Sequence, residues 1–175
     1  MINVCIADNF PVVHFGIKAY FKDHSEINVA SNVGNFFMIP DALRNKEINV
    51  LIMDLELDGL NSIYEVKSII KNFPKTKVIV FSNLSEHIYA PNAIKAGCAG
   101  YVHKTSKLEN LGVTIVKVNN GQIILNDDIK KKLALIAKQN KSERLYRKLS
   151  NREIEFLRFL SDGKKNNEIA KILNL

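Results

Sequence analysis

The 175-residue chain contains no tryptophan, only two cysteines and only four prolines. Two cysteines, Cys5 and Cys98, cannot supply the disulfide framework of a small secreted domain, so we expect a reducing compartment. The longest apolar runs, such as residues 78–81, fall far short of the roughly 20 residues that a membrane span needs. The first residues lack the basic start and apolar core of a signal peptide. These absences predict a cytoplasmic protein without a membrane segment.

The composition is that of an ordinary folded protein, with 46% hydrophobic and 25% charged residues, which excludes a wholly disordered chain. The length suits one domain of about 120 residues followed by a smaller unit. The net charge of +7 is concentrated near the C-terminus. Residues 1–124 hold 12 Lys and Arg against 11 Asp and Glu, whereas residues 125–175 hold 13 against 7. This basic region indicates a nucleic-acid partner or, equally, a solvated lysine-rich helix.

The first 124 residues alternate between two hydrophobic periods. Five short apolar segments, dense in β-branched residues, predict buried strands over 2–7, 27–33, 49–53, 77–81 and 100–102. The stretches between them carry apolar residues at helical spacing, as in the stripe of Ile63, Val66, Ile69 and Ile70. Alternating strands and helices indicate a parallel sheet covered on both faces. We therefore predict an α/β fold with a five-stranded, parallel, doubly wound sheet of flavodoxin-like order.

The pattern divides the chain into three parts: a sheet domain over 1–124, a basic helical linker over 125–148 and a small all-α unit over 149–175. Asn126 can cap the first turn of the linker helix. Ser150 and Glu153 have the S-x-x-E spacing of a capping box, and Gly163 supplies a helix stop. Asn166 can cap one more helix. The last part therefore contains a pair of short helices.

Polar and charged residues follow four of the predicted strands. Asp8 and Asn9 follow the first strand, Asp54 the third, Ser82 ends the fourth and Lys104 follows the fifth. In an open parallel sheet, ligands bind at the carboxyl ends of the strands near the switch point of the strand order. Carboxylates are suited to Mg²⁺, which prefers oxygen ligands, and a lysine can pair with phosphate. The constellation predicts a site for a divalent cation and a transferred phosphoryl group.

These residues lie in motifs that resemble the receiver domain of bacterial two-component response regulators. Four segments carry the resemblance in the family's order: Ile6-Ala7-Asp8-Asn9-Phe10-Pro11, Asp54-Leu55-Glu56-Leu57, Phe81-Ser82 and Ala96-Gly97-Cys98-Ala99-Gly100-Tyr101-Val102-His103-Lys104. The C-terminal run is similar to the start of a LuxR/NarL-type helix-turn-helix, from Leu149-Ser150-Asn151-Arg152-Glu153 to Asn167-Glu168-Ile169-Ala170. The resemblance covers nearly the whole chain.

The resemblance implies a role for each acidic residue of the site. Asp54 is the expected phosphoacceptor, which takes a phosphoryl group from a sensor histidine kinase. Asp8, Asn9 and Asp54 occupy the metal-binding positions. The main-chain carbonyl of Glu56 completes the protein ligands of Mg²⁺.

The resemblance also implies how the phosphoryl group is held and reported. Lys104 and Ser82 stabilise the phosphoryl oxygens. Ser82 and Tyr101 form the switch pair that reports the phosphorylated state.

Asn9 departs from the family pattern, because receivers usually place a carboxylate that binds magnesium there. An amide oxygen can still coordinate but brings no charge, and one unit charge at about 4 Å is worth about 4 kcal/mol at an effective dielectric constant of 20. We therefore expect weak Mg²⁺ binding before phosphorylation. Asn9 also supports an alternative, a pseudo-receiver that works as a protein-interaction module without phosphorylation.

Two more departures concern the backbone. Asp58 and Ser62 stand where the family tends to have proline and glycine, which should loosen the loop after Asp54. Pro91 lies inside the predicted fourth helix, 85–96, where proline removes a hydrogen bond. We expect that helix either to begin near Ala90 or to kink.

A less favoured alternative is enzymatic. A small phosphohydrolase could use Asp54 as nucleophile and Glu56 as acid and base. Haloacid-dehalogenase-like enzymes usually carry Asp-x-Asp on their first strand, whereas this motif follows the third strand and its second acid is Glu. We favour a transcription regulator that is not an enzyme.

The resemblance implies DNA and a second copy of the chain as further partners. The expected dimer surfaces are the first and fifth helices or the face that includes the fourth and fifth. A helix-turn-helix reads the major groove with its second helix, which by the resemblance begins after Leu175. The residues that contact DNA are therefore unknown, and we expect this chain to bind DNA weakly or not at all.

Overall fold

The structure is a computed structural model that describes residues 1–59, 63–131, 150–161 and 164–173. It divides into two compact units, Met1–Lys131 and Lys132–Leu175. No helix among these described residues has the length and apolar content that a bilayer span requires.

The first unit contains five parallel strands in the order β2-β1-β3-β4-β5. Their bounds are β1 Ile2–Ala7, β2 Ile27–Val33, β3 Val50–Met53, β4 Lys77–Ser82 and β5 Gly100–His103. This order confirms the predicted doubly wound sheet. The register pairs Ala7 with Met53, so the next residue on each strand, Asp8 and Asp54, leaves the sheet at the same edge. The pairing of Ser82 with His103 brings the ends of β4 and β5 together in the same way.

Helices cover both faces of the sheet. Their bounds are α1 Pro11–Tyr20, α2 Ile39–Asn45, α3 Ile63–Asn72, α4 Glu86–Ala96 and α5 Leu108–Asn119. Ile17 of α1 and Ile115 of α5 pack on one face against Ile52 and Ile79. Alternate strand residues, such as the fully buried Leu51, point to the opposite face. Helix α2 contacts β1 and β2, and helix α3 contacts β4.

Two helices of the first unit, α2 and α4, each contain a proline. A short 3₁₀ helix, Phe36–Met38, precedes α2, whose first turn contains Pro40. A proline is tolerated there because its missing N–H has no partner inside the helix. Helix α4 begins at Glu86 and continues through Pro91, so a start near Ala90 was wrong. The helix ends at Gly97, whose φ of 109° is left-handed.

The residues that follow α5 pack onto the first unit. Ile124 forms a parallel bridge with Gly100: its N–H donates to the Ala99 carbonyl at 2.8 Å, and its carbonyl accepts from Tyr101 N–H at 3.3 Å. Residues 127–131 are helical, and the predicted cap forms because Asn126 Oδ1 accepts from Asp128 N–H at 3.0 Å. Ile129 is only 1% exposed. The start of the predicted linker is therefore part of this compact unit.

The second unit contains α6, Asn151–Ser161, and α7, Asn166–Ile172. The predicted capping box forms: Ser150 N–H donates to Glu153 Oε2 at 2.5 Å, and Glu153 N–H donates to Ser150 Oγ at 3.3 Å. The cap predicted at Asn166 was wrong, because that residue already belongs to α7. Glu168 instead accepts from the N–H of the preceding Lys165 at 2.8 Å. Gly163 lies outside the described residues.

Candidate phosphoacceptor site

The carboxylates of Asp8 and Asp54 are buried side by side at the carboxyl end of the sheet. Each residue follows the last residue of its strand, and Asp54 N–H donates to the Ala7 carbonyl at 2.9 Å. Both residues are only 2% exposed. Buried carboxylates require a positive partner or hydrogen-bond donors, because isolated buried charges are strongly disfavoured. The sequence-based prediction that these two strand ends meet is therefore matched by the contacts.

Lys104 supplies that positive partner. Its Nζ lies 2.7 Å from Asp8 Oδ2 and 2.5 Å from Asp54 Oδ2, and its side chain is 8% exposed. The backbone holds the lysine there, because Lys104 N–H donates to the Ser82 carbonyl at 3.0 Å. Burial by itself lowers the pKa of Lys104, but the hydrogen bonds to Asp54 and Asp8 and the negative charges of these two residues together outweigh burial and raise that pKa above its ordinary value. One ammonium thus bridges two carboxylates.

The other oxygen of each carboxylate accepts a local backbone hydrogen bond. Asp8 Oδ1 accepts from Phe10 N–H at 2.8 Å, and Asp54 Oδ1 accepts from Glu56 N–H at 3.2 Å. Each carboxylate is therefore fixed by a backbone amide on one oxygen and by Lys104 on the other. These contacts orient both carboxylates.

Ser82 and Tyr101 meet at the loop between β4 and α4. Ser82 is fully buried and its Oγ accepts from Leu84 N–H at 3.4 Å. The Tyr101 hydroxyl donates to the Leu84 carbonyl at 2.9 Å, and Tyr101 is 3% exposed. Burial, followed by the charge of Asp54, raises the pKa of Tyr101 well above its usual range. Both predicted switch residues thus contact Leu84.

Asn9 and Glu56 lie at the same end of the sheet, but both residues are exposed. The contacts bring together Asp8, Asp54 and Lys104, whereas Asn9 stands at the rim. The oxygen-rich pair of carboxylates fits a hard cation such as Mg²⁺. Within the part of the chain that the structure describes, however, no three His, Cys, Asp or Glu residues cluster as metal ligands. The structure thus brings two carboxylates together here, and position 9, next to Asp8, carries an amide instead of an acid.

The loop after Asp54 contains a residue whose part the sequence did not predict. Asp58 has a φ of 60°, in the left-handed region, and its Oδ2 accepts from Phe36 N–H at 2.7 Å. Aspartate tolerates this conformation better than most residues, whereas proline cannot adopt it. Asp58 thus ties the loop after Asp54 to Phe36, the first residue of the 3₁₀ helix before α2, and the expected loosening of that loop stays a prediction. Ser62 lies outside the described residues.

Phe10 and His103 are two more neighbours that the motifs alone did not single out. The Phe10 ring centroid lies 5.3 Å from Lys104 Nζ. His103 Nε2 lies 3.0 Å from the Asn83 carbonyl oxygen and its Nδ1 lies 2.7 Å from Thr105 Oγ1. His103 thus connects the loops that follow β4 and β5. The contacts of Phe10 with Lys104 and of His103 with Asn83 could not be read from spacing, because each joins segments that are far apart in the sequence.

Comparison with known proteins gives two matched families. Residues 4–116 match the family described as response regulator receiver domain, and residues 147–175 match bacterial regulatory proteins of the luxR family. Response regulator UvrY of Escherichia coli is 29% identical over 179 aligned positions, which cover 100% of this chain and 81% of UvrY. Response regulator protein VraR of Staphylococcus aureus is 25% identical and is matched over 97% of this chain and 80% of VraR.

Solved structures agree with these families. RcsB from Salmonella enterica serovar Typhimurium, bound to promoter rprA in the presence of phosphomimetic BeF₃⁻, superposes with a TM-score of 0.71 at 25% identity. The match covers 99% of this chain and 84% of that RcsB chain. Both the sequence families and the fold follow the order seen here, a doubly wound sheet and then short helices. The chain therefore belongs to the response regulator family, with a receiver domain followed by a LuxR-type helix-turn-helix region.

Proposed function

We propose that Asp54 accepts a phosphoryl group from a sensor histidine kinase and that this modification regulates DNA binding by the LuxR-type region. The observation that carries the proposal is the contact of Lys104 with two buried carboxylates, at 2.5 and 2.7 Å. A lysine between acids at the end of a parallel sheet suits a centre where a phosphate will add negative charge.

The transfer uses one carboxylate oxygen of Asp54 as the nucleophile. That oxygen attacks the phosphorus of a phosphohistidine, the P–N bond breaks with its electron pair going to the imidazole, and an acyl phosphate forms. Lys104 can follow the new phosphoryl oxygens because its ammonium already touches the acceptor. The buried hydroxyl of Ser82, on the neighbouring strand, is the proposed second donor to those oxygens.

We propose that Asp8, Asn9, Asp54 and the Glu56 main-chain carbonyl hold Mg²⁺. When bound, the cation offsets negative charge on the reacting phosphoryl group. In the present geometry both Asp8 Oδ2 and Asp54 Oδ2 are engaged by Lys104. The lysine therefore competes with a cation for these oxygens, which supports weak binding before phosphorylation. Phosphorylation adds about −1.5 to −2 charges and should recover much of the affinity.

The signal leaves the site through Ser82 and Tyr101. Both side chains form a hydrogen bond with the backbone of Leu84. If the Ser82 hydroxyl moves to bind a phosphoryl group, the loop that the Tyr101 hydroxyl contacts should therefore move as well. RcsB is described as bound to promoter DNA and, in another structure, as two dimers bound to two parallel DNAs. By analogy, the proposed outputs of this protein are promoter DNA binding and self-association.

A groove between the end of α1 and α5 is the proposed surface for self-association. Phe21, Gly112 and Val116 line the groove, together with Tyr20 and Val113, of which Val113 is 51% exposed. The other expected surface is the face that includes α4 and α5, and the strand that both helices contact, β5, is already paired with Ile124. Val113→Glu should therefore prevent dimerisation in sedimentation experiments with a phosphoryl mimic, whereas Ile88→Glu on α4 should not.

The proposed function is tested with a labelled small acyl phosphate. Wild type should incorporate label in the presence of Mg²⁺, and Asp54→Ala should not. Asp41→Ala, at an exposed aspartate on α2, serves as the matched control and should retain incorporation. Rapid turnover of a generic phosphate ester would instead support the phosphohydrolase alternative.

A second candidate is the pseudo-receiver, and one observation favours it. Lys104 already neutralises part of the charge of Asp8 and Asp54, and Asn9 adds none, so the pocket is stable without a cation. A pseudo-receiver would take up no label at any magnesium concentration.

A further inference from the structure

We propose that Phe10 is a positioning residue that holds the Lys104 ammonium against Asp8 and Asp54 and thereby raises the magnesium concentration that the resting site requires. The proposal rests on the proposed function of Asp54 for its consequence in phosphotransfer. Its structural part, the competition between Lys104 and a cation, stands on contacts alone.

The ammonium of Lys104 has three named neighbours. Two are the carboxylate oxygens of Asp8 and Asp54, and the third is the Phe10 ring, whose centroid lies 5.3 Å from Nζ. A cation within about 6 Å of a ring centroid is attracted by the ring's quadrupole. Phe10 also fixes the acid, because its N–H donates to Asp8 Oδ1 at 2.8 Å. One residue thus orients both the carboxylate and its counter-ion.

The position of Phe10 in the fold argues that its ring serves this contact. Phe10 is the N-cap of α1 and makes no side-chain cap hydrogen bond. Asn, Asp, Ser and Thr are preferred at an N-cap because they satisfy a free backbone N–H. Phe10 forgoes that stabilisation and leaves 52% of its surface exposed. Neither helix capping nor core packing therefore accounts for a phenylalanine here, whereas the contact with Lys104 does.

Charge explains why the contact bears on magnesium. Asp8 and Asp54 carry two negative charges, Lys104 carries one positive charge, and Asn9 is neutral. A cation that binds Asp8 Oδ2 or Asp54 Oδ2 must take that oxygen from the ammonium. Any interaction that favours the lysine in its present place therefore opposes the metal. Asn9 and Phe10, adjacent in the sequence, act in the same direction.

The test is a magnesium titration of the unphosphorylated protein, followed by chemical shifts of backbone amides. Phe10→Leu removes the ring but keeps an apolar side chain, and it should tighten Mg²⁺ binding about two- to fivefold, the factor expected for an exposed cation–π contact. Phe10→Trp keeps an aromatic ring at this position, so its Mg²⁺ affinity should equal that of wild type or be lower. The matched control is Phe15→Leu on the same helix, where Phe15 is 80% exposed, and it should change nothing. Equal affinities for wild type and Phe10→Leu would overturn the proposal.

A second readout decides the matter even if every variant binds magnesium too weakly to titrate. In metal-free protein, the ring current of Phe10 should shift the Lys104 ε-methylene protons upfield, and Phe10→Leu should abolish that shift. Lys104→Arg assigns the signal. An unshifted signal in wild type would also overturn the proposal. Failure of wild type to take up label from an acyl phosphate, by contrast, would refute the role of Asp54 and leave the position of Lys104 to be judged by this spectrum.

Discussion

Different interactions stabilise two regions of the first unit, the carboxyl end of the sheet and the edge along β5. At the carboxyl end, Asp8, Asp54 and Lys104, which we call the cluster, are held by charged side-chain contacts. Along β5, residues 122–131, which we call the edge segment, are held by backbone hydrogen bonds of Ile124 and by burial of Ile129. The charged contacts of the cluster can be replaced by contacts with a phosphoryl group. Backbone pairing and apolar burial have no such substitute, so a displacement of β5 reaches the edge segment only if the strand and the segment move together.

Tyr101 belongs to both regions. Its hydroxyl reaches the Leu84 carbonyl next to the cluster, and its backbone N–H reaches the Ile124 carbonyl of the edge segment. Glu86 adds a second connection, because its Oε1 accepts from Asn126 N–H at 3.3 Å. The contacts between the two regions therefore lie on β5 and at the start of α4.

The largest expected effect on stability comes from removing the Lys104 ammonium from the cluster. Lys104→Met leaves Asp8 and Asp54 buried together without their ammonium, which should lower the free energy of unfolding by about 3 kcal/mol in metal-free buffer. Mg²⁺ should recover part of that loss. Urea denaturation measures both values, and Lys71→Met, an exposed lysine at the end of α3, is the control.

The free energies of unfolding of wild type and Lys104→Met, compared as a function of pH, give a second test. The folded-state pKa of Lys104 is raised above its ordinary value of 10.5. The stability that this ammonium contributes is therefore fully present below that ordinary value and is lost only as pH rises through the folded pKa. The difference between wild type and Lys104→Met should stay level between about pH 6 and pH 9. A fall within that range would contradict the assignment.

The edge segment should respond to an apolar truncation instead. Ile129→Ala removes a side chain that is 1% exposed and should lower the free energy of unfolding by about 2 kcal/mol. Ile123→Ala, in the same segment but 59% exposed, should cost less than about 0.5 kcal/mol. Neither variant should alter label uptake at Asp54 by more than about twofold. Equal effects of the two substitutions on unfolding would show that the segment is not packed as described.

Removing the hydroxyl that joins the two regions should have a smaller effect. Tyr101→Phe leaves the buried Leu84 carbonyl without this donor, at a cost of about 1 kcal/mol. Phosphorylation of Asp54 should proceed at nearly the wild-type rate, while its effect on amide hydrogen exchange in the edge segment should weaken. An unchanged exchange response would separate Tyr101 from transmission.

The smallest effect on stability is expected at the rim. Asn9→Asp adds a third carboxylate near Asp8 and Asp54 and should destabilise the metal-free protein by about 0.5 kcal/mol, because position 9 is exposed and screened. Its effect on function should be larger, with apparent Mg²⁺ affinity tightened by about tenfold, equivalent to about 1.4 kcal/mol. It should also speed phosphorylation of Asp54. If both magnesium affinity and phosphorylation rate stay unchanged, Asn9 is not at the metal site.

Hydrophobic period was sufficient to predict the sheet. All five strands lie within one residue of the predicted bounds, as at β4, which ends at Ser82 instead of residue 81. The meeting of Asp8 and Asp54 was also predictable, because parallel strand ends lie at one edge. Residue type alone misplaced two helix starts. At α7, Glu168 accepts a hydrogen bond from Lys165 N–H, so the cap is not made by Asn166. At α4, the helix continues through Pro91, and Ala90 and Ala93 on it are buried.

The remaining features depend on contacts between distant loops. The pairing of Ile124 with β5 gives no local signal, since its partner is more than twenty residues away in the sequence. The Phe10 contact with Lys104 and the Asp58 contact with Phe36 likewise need the folded chain. Sequence motifs therefore located Asp8, Asp54 and Lys104, whereas their contacts with residues from other loops became visible only in the folded chain.

The most direct test is to map the phosphoryl group. Wild type and Asn9→Asp are incubated with an acyl phosphate and Mg²⁺, the acyl phosphate formed on the protein is reduced with hydride to mark the acceptor, and the peptides are sequenced by mass spectrometry. We predict a single marked residue, Asp54, in both proteins, with faster labelling of Asn9→Asp. Labelling of Asn9→Asp without any labelling of wild type, or a mark on another residue, would contradict a working phosphoacceptor at Asp54.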